Sequence, residues 1–140
     1  MSLLKRFLAK KNGTVYVVAG SSGQLGSTQF TYPHNAMYYS NANVGGSLVM
    51  DFDNNRLDIK WLCSDGIIRD NFTMFKNVNK VLTYTVTPTQ TLNLGASWPG
   101  TYVWSTGANT SSISVTSSVS STFWVRDPNN CVADTFKLFV

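Results

Sequence analysis

The pattern of apolar and polar residues predicts β-strands along most of the chain. An unbroken apolar run at residues 15–19 predicts a strand with both faces buried. Three longer segments then alternate apolar with polar residues, as half-buried strands do. These segments are residues 46–53, 56–63 and 67–75, joined by Asn54-Asn55 and by Ser64-Asp65-Gly66, and such short turns predict an antiparallel β-meander.

A second group of strands follows in a segment rich in threonine and serine. Six short segments, at spacings of roughly ten residues and separated by glycine and proline, are typical of a small β-sandwich. Trp104 in the third segment is expected at the centre of its core. The predicted strands lie within residues 82–88, 91–95, 101–107, 112–116, 121–127 and 134–140.

These patterns divide the chain into two unlike units. Residues 12–76 form the first β region, the polar residues 77–80 are a connector, and residues 81–140 form the sandwich. Residues 1–11 are interpreted as a tag remnant with a basic segment. Within the first region, residues 27–45 have no steady periodicity and predict an ordered loop.

The net charge of +4 comes from the first eleven residues, which contain four of the eleven lysines and arginines. The other seven balance seven aspartates, so the body of the chain is neutral and carries no sign of a nucleic-acid-binding face. Residues 3–11 suit either a short membrane-touching amphipathic segment or a frayed end, and we favour the end. No segment reaches the roughly 20 apolar residues of a membrane span.

Several residues are candidates for a chemical site. The turn from Gly20 to Gly26 lacks the lysine of a phosphate-binding loop, so a structural turn is preferred. His34 is the only histidine, which disfavours a zinc site or a catalytic triad. Asp51, Asp53 and Asn55 imitate the start of a calcium loop without its glycine and glutamate, so a hairpin turn explains them better. We predict no catalytic, cofactor-binding or metal-binding residue.

Two cysteines, Cys63 and Cys131, fit either one disulfide or two buried thiols. The aromatic residues also allow two interpretations. They can form a sugar-binding platform, or they can fill the core, as small sandwiches require. The aromatic side chains in question are those of Trp98, Trp104, Trp124, Tyr32, Tyr38 and Tyr39.

Three segments in order carry a family resemblance: residues 15–23, the segment His34-Asn35-Ala36-Met37-Tyr38, and residues 46–76 with the phrase RLDxKxLxxxGxxxDxFTxxK. They resemble the C-terminal end of calcineurin-like metallophosphoesterases of the purple-acid-phosphatase-like branch. The resemblance implies that residues 12–76 close one sheet of a larger α/β/β/α sandwich. It places His34 near the rim of the parent's site, although a loop histidine packed on tyrosines is preferred.

The second half resembles the Ig-like domains appended to secreted and cell-surface proteins of bacteria of the Bacteroidetes kind. TYVWSTGANTSSISVT, which contains Trp104, matches a central strand and turn, and Cys131 and Asp134 match the approach to the last strand. No cysteine near Leu92 offers the usual disulfide partner. The predicted fold class is therefore all-β, an antiparallel β-meander plus a small Ig-like β-sandwich.

Together, the resemblances imply a non-catalytic C-terminal fragment of a secreted or cell-surface metallophosphatase. The parent would hydrolyse a phosphoester at a dinuclear metal centre, and this chain alone is predicted inactive because the metal-binding motifs of the family lie upstream of these segments. The expected partners are the remainder of the parent domain and a second copy through the edge Val15–Ala19. The alternative is a stand-alone β-sandwich that binds carbohydrate or protein, and an intact small hydrolase ranks last.

Overall fold

The computed structural model describes residues 6–7, 15–19, 22–35 and 37–140. All regular secondary structure in these ranges is β-strand, which confirms the all-β fold class. The strands are β1 (Arg6–Phe7), β2 (Gly46–Asp53), β3 (Arg56–Cys63), β4 (Ile68–Phe75), β5 (Val81–Thr85), β6 (Thr91–Gly95), β7 (Val103–Trp104), β8 (Ser112–Thr116), β9 (Ser121–Arg126) and β10 (Ala133–Phe139).

The backbone divides into two compact units. The first comprises Met1–Asp51 and Leu57–Thr73, and the second comprises Phe52–Arg56 and Met74–Val140. The tip of the β2–β3 hairpin thus belongs to the second unit, where the Asn55 side-chain amide donates to the carbonyls of Lys76 and Ser97, both at 2.7 Å.

The sheet of the first unit has the order β1-β4-β3-β2. The three long strands are consecutive neighbours, as the alternating pattern predicted, and β1 adds to β4 in parallel. Ile59, Trp61 and Cys63 alternate along β3 and are buried. The predicted turns are also present, since Asn54 and Gly66 both adopt the left-handed conformation that tight turns use.

The strand predicted at residues 15–19 is not formed. These residues have no regular structure and all are exposed, Tyr16 at 88% and Val18 at 94%. An apolar β-branched run favours a strand only where a neighbouring strand pairs with it. Residues 22–45, apart from the undescribed residue 36, form irregular loops, as expected for residues 27–45.

Gly46 lies at the start of β2, where the backbone passes very close to its neighbours. A β-carbon added there would stand 2.5 Å from the carbonyl oxygen of Leu62 and 2.6 Å from Nε1 of Trp61. A fixed backbone oxygen cannot move aside as a flexible side chain can. Glycine is therefore required for β2 to approach β3 at this point.

Gly46→Ala is expected to lower the unfolding free energy of the first unit by about 1–3 kcal/mol, the usual cost of overpacking. Gly26→Ala is the matched control, because open space surrounds Gly26 in the same unit. Urea unfolding followed through the NMR signal of the Trp61 indole N–H measures both variants. Equal stability of the two would contradict the close approach at Gly46.

The second unit is a sandwich of two sheets. One sheet has the order β5-β10-β9-β7 and the other pairs β6 with β8. The β10–β5 pairing is parallel, whereas the β10–β9, β9–β7 and β8–β6 pairings are antiparallel. The inward residues of both sheets form one core, and Trp104 is only 1% exposed, as predicted. Its ring stacks on Phe136 with centroids 5.7 Å apart. The buried members of this core are Val86, Leu94, Trp98, Trp104, Val115, Val125, Val132, Phe136 and Leu138.

A buried carboxylate fastens β10 to two other segments. Asp134 has no exposed surface, and one of its oxygens accepts the N–H of Lys80 at 2.7 Å and the hydroxyl of Ser97 at 3.0 Å. The other oxygen accepts the N–H of Ser97 at 2.7 Å. Hydrogen bonds of this kind offset the cost of burying the charge, and they satisfy two main-chain donors.

Asp134→Ala is expected to destabilise the second unit by about 3 kcal/mol or more, because two main-chain donors lose a charged acceptor. Asp53→Ala, at the exposed last residue of β2 in the same unit, should change stability by less than about 0.5 kcal/mol. Urea unfolding followed through the Trp104 indole N–H, which donates to the Thr110 carbonyl, measures both. A small effect of Asp134→Ala would show that Asp134 is not an anchor.

Candidate functional site: the outer face of the four-stranded sheet

The four-stranded sheet of the sandwich presents an outer face opposite its core. Side chains alternate along each strand, so Thr122, Trp124 and Arg126 of β9 point outward while Phe123 and Val125 point to the core. Strand pairing sets Trp124 opposite Thr135, and Thr135 opposite Val81. Beside this row, Thr122 pairs with Lys137, and Lys137 with Thr83. We call these residues the Trp124 face.

Trp124 and Arg126 form a stacked pair on this face. The guanidinium carbon of Arg126 lies 5.1 Å from the centroid of the Trp124 ring, a cation–π distance. Nη1 of Arg126 donates to Oδ1 of Asn130. The Trp124 backbone is held from the other side, because its carbonyl accepts the N–H of Ser105. The ring is therefore positioned while 38% of the residue remains exposed.

The chemistry of the Trp124 face suits binding rather than catalysis. An exposed indole ring stacks on flat or apolar ligand surfaces such as the face of a sugar ring. Arg126 and Lys137 donate hydrogen bonds and attract negative charge, and the threonine hydroxyls both donate and accept. Its described outward side chains offer no carboxylate or imidazole for acid–base catalysis.

The other aromatic residues considered for a platform lie elsewhere. Trp98 and Trp104 are buried in the sandwich core. Tyr32, Tyr38 and Tyr39 belong to the first unit, where the ring of Tyr39 meets Trp61 edge-on at 6.1 Å. A platform on the sandwich therefore has Trp124 as its one tryptophan.

The acidic and histidine candidates are dispersed. His34 is exposed, and its carbonyl accepts the N–H of Met37 at 2.8 Å. Asp53 accepts a hydrogen bond from the side chain of Asn54, and Asp51 accepts one from Lys60 at 3.3 Å. Asn55 uses its amide as a donor within the second unit. Across the described part of the chain, no three histidine, cysteine or carboxylate side chains come together as metal ligands would.

Both cysteines are free thiols. Cys63 is buried in the first unit, and Cys131 is half-buried in the second. Burial, together with the nearby negative charge of Asp127, raises the pKa of the Cys131 thiol. The thiolate, which is the reactive form, is correspondingly disfavoured.

An ion pair marks the β3–β4 turn. Arg69 donates to both carboxylate oxygens of Asp65, at 2.7 and 2.5 Å. These hydrogen bonds lower the pKa of Asp65 to about 2. Because the folded-state pKa is depressed, the stabilisation is present above the ordinary pKa of an aspartate and is lost as the pH falls towards 2. The pair is exposed, so its role is to fix the turn.

The described part of the predicted glycine–serine turn lies beside an open depression. Gly20 and Ser21 are outside the described residues, whereas residues 22–25 line an open depression of about 380 Å³ together with Gly46 and Cys63. None of the described residues that line it is charged. These residues therefore supply no cation that would hold a phosphate.

Two features of the sandwich were missed at the level of sequence. Asp134 falls in phase with the buried Phe136 and Leu138 of β10, and a charged residue at an inward position is the signal of a buried anchor. Asp127 precedes Pro128 in a turn and accepts the N–H groups of Asn129, Cys131 and Val132. Asp, Pro and Asn in succession are the corresponding turn signal.

The described residues contain no helix long and apolar enough to cross a membrane. No protein-family model matches the chain, and no curated protein or solved structure is significantly similar to it.

Proposed function

We propose that this chain is the non-catalytic C-terminal region of a secreted or cell-surface metallophosphatase-like hydrolase. The first unit would complete a sheet of the catalytic domain, and the sandwich would be an Ig-like module that tethers or spaces the enzyme. The resemblance of residues 12–76 and 81–140 supports this function, together with one main structural observation.

That observation is the exposed apolar surface of the first unit. Tyr16 and Val18 are almost fully exposed, and Phe30 is completely exposed. Contiguous exposed apolar residues mark surfaces that another protein layer covers. The remainder of a catalytic domain is the partner that the resemblance implies for this surface.

The connectivity of the sandwich supports an Ig-like assignment. β9 lies between β7 and β10 as strand F lies between C and G in immunoglobulin-like folds, and β6 pairs with β8 as B pairs with E. Trp104 on β7 takes the place of the buried tryptophan of strand C. The buried Asp134, rather than a disulfide, is the polar anchor of this sandwich.

The reaction would belong to the parent and not to this chain. A dinuclear metal centre in the upstream region would activate a hydroxide for attack on phosphorus. Among the described residues, His34 and the aspartates are dispersed and do not come together in the groups of three that a metal centre needs. This chain would complete the sheet of the catalytic domain and tether or space the enzyme.

The chain alone is expected to show no metal-dependent hydrolysis of para-nitrophenyl phosphate or its bis-ester with zinc, iron or manganese. A protein extended N-terminally through the metal-binding motifs should turn over at least one of them, because it supplies both metal ions. Turnover by the 140-residue chain that depends on added metal would contradict the proposal.

The Trp124 face favours a second candidate function, a β-sandwich that binds carbohydrate. The positioned, partly exposed indole with Arg126 and threonines around it has the composition of a sugar-stacking surface. A sugar-binding face would also suit a module that anchors the parent enzyme to a glycan. Carbohydrate binding is therefore compatible with a tethering role of the sandwich, and it excludes only the role of a passive spacer.

Trp124→Ala is expected to weaken binding of a hexasaccharide by about tenfold or more, because a stacked aromatic is a typical binding hot spot. Val119→Ala, at an exposed position of the sandwich outside the Trp124 face, is the matched control and should have little effect. Calorimetry with cellohexaose, chitohexaose and laminarihexaose measures the affinities. If none binds, or if both variants bind like the unmodified chain, the carbohydrate candidate fails.

A further inference from the structure

β2 is an edge strand whose backbone is open on one side. Among the described strands, only β3 pairs with it. An open edge presents a row of main-chain N–H and C=O groups, and natural proteins commonly protect such edges with lysine or proline. β2 reads GSLVMDFD and contains neither. Its eight residues also exceed the usual strand length of about 5–6 residues.

The side chains of β2 make this edge apolar as well. Leu48, Met50 and Phe52 alternate onto one face of the strand. Met50 is 51% exposed and Phe52 is 75% exposed, and Val49 on the opposite face is also exposed. A long apolar edge of this kind is complementary to another β-strand that supplies both hydrogen bonds and apolar side chains.

We infer that β2 pairs in antiparallel orientation with β2 of a second copy of this chain, with Met50 opposite Met50 on a twofold axis. This inference goes beyond the proposed function and does not depend on it. It also moves the contact between copies away from residues 15–19, which form no strand.

Strand geometry and charge together favour the antiparallel orientation. Parallel pairing of the same edge would turn one copy over, so that equivalent residues would point to opposite faces and could not lie directly opposite each other. Asp51 and Asp53 are the only charged residues of β2, and both lie in its second half. Antiparallel pairing about Met50 sets Asp51 opposite Val49 and Asp53 opposite Ser47. Asp51 also keeps its ion pair with Lys60.

The charges and sizes of the side chains also restrict the register of the antiparallel pair. Directly opposite residues must point to the same face, so the twofold axis passes through a single residue. An axis through Asp51 or Phe52 would bring aspartates together. An axis through Val49 would set Phe52 opposite Gly46, which has no side chain to cover it. Only the axis through Met50 sets Phe52 opposite Leu48 and buries both against each other.

Cysteine cross-linking of the whole chain tests this register. Opposite Cα atoms in an antiparallel pair are about 4.5–5.5 Å apart, within the roughly 4.4–6.8 Å range of disulfides. Met50→Cys should therefore give a disulfide-linked dimer on mild oxidation. Val49→Cys is the matched control. In this register each residue 49 lies opposite residue 51 of the other copy, so the two introduced cysteines would be too far apart to form a disulfide. Peptide mapping assigns the linkage, since Cys131 is also partly accessible.

A second measurement uses the unlinked chain. Sedimentation equilibrium should show a mass that rises towards twice that of the monomer with increasing concentration. Met50→Lys should weaken this dimer about tenfold or more, because two ammonium groups would meet on the axis. Met37→Lys, at another exposed methionine of the first unit, should leave the dimer unchanged.

Three outcomes would overturn the inference. They are a Met50→Cys variant that folds but stays monomeric on oxidation, cross-linking of Val49→Cys in its place, and an unmodified chain that remains a monomer up to millimolar concentration. Phosphatase assays do not enter any of them, so failure here and failure of the proposed function are distinguishable.

Discussion

The sandwich depends on the fully buried carboxylate of Asp134. Asp134 lies inside the second unit and receives hydrogen bonds from Lys80 and Ser97. A carboxylate in an apolar interior is tolerated only when such donors surround it. The same donors thereby fix the start of β5 and the loop after β6 onto β10. Because β10 is flanked by β5 and β9, this anchor sets the position of the whole four-stranded sheet, including the ring of Trp124 on its outer face.

The first unit is organised differently. Among its described residues, the best-buried side chains are those of Ile59, Trp61 and Cys63, which all lie on β3. Around them, residues 15–19 and the edge strand β2 expose apolar groups that a self-sufficient domain would bury. The second unit has a closed core of nine buried side chains. The first unit exposes apolar side chains and the second unit buries them. We therefore propose that the first unit packs against another protein domain and that the second folds as an independent module.

Much of the fold was predictable because the alternation of apolar and polar residues is a strong local signal of β-strands. The bounds of β2, β3, β6 and β8 follow directly from it, and Trp104 was recognised as core. Residues 15–19 were mispredicted, since composition alone does not say whether a neighbouring strand exists. β7 is shorter than its segment suggested. Just before it, the Tyr102 hydroxyl donates to the carbonyl of Trp98 and accepts from the N–H of Gly100, which holds Tyr102 against the preceding turn.

The site was less predictable than the fold. In the sequence, Trp124 is one of several aromatic residues. The structure shows which side of β9 faces the core, and therefore that Trp124 points outward while Trp98 and Trp104 do not. Its pairing with Arg126 two residues later follows from the alternation of side chains along the strand. The sequence places Asp134 at an inward position of β10, which is unusual for a charged residue. Its hydrogen-bond donors, however, lie more than thirty positions away, at Ser97 and Lys80. Long-range partners of this kind leave no mark in local sequence.

We propose that the exposed apolar side chains of residues 15–19 lie under another part of a larger enzyme. Amide hydrogen exchange of residues 15–19, measured in the 140-residue chain and in the protein extended N-terminally, tests this proposal. The account predicts rapid exchange at Tyr16 and Val18 in the short chain and strong protection of the same amides in the longer protein. Equally rapid exchange in both would show that nothing covers this surface and would contradict the account.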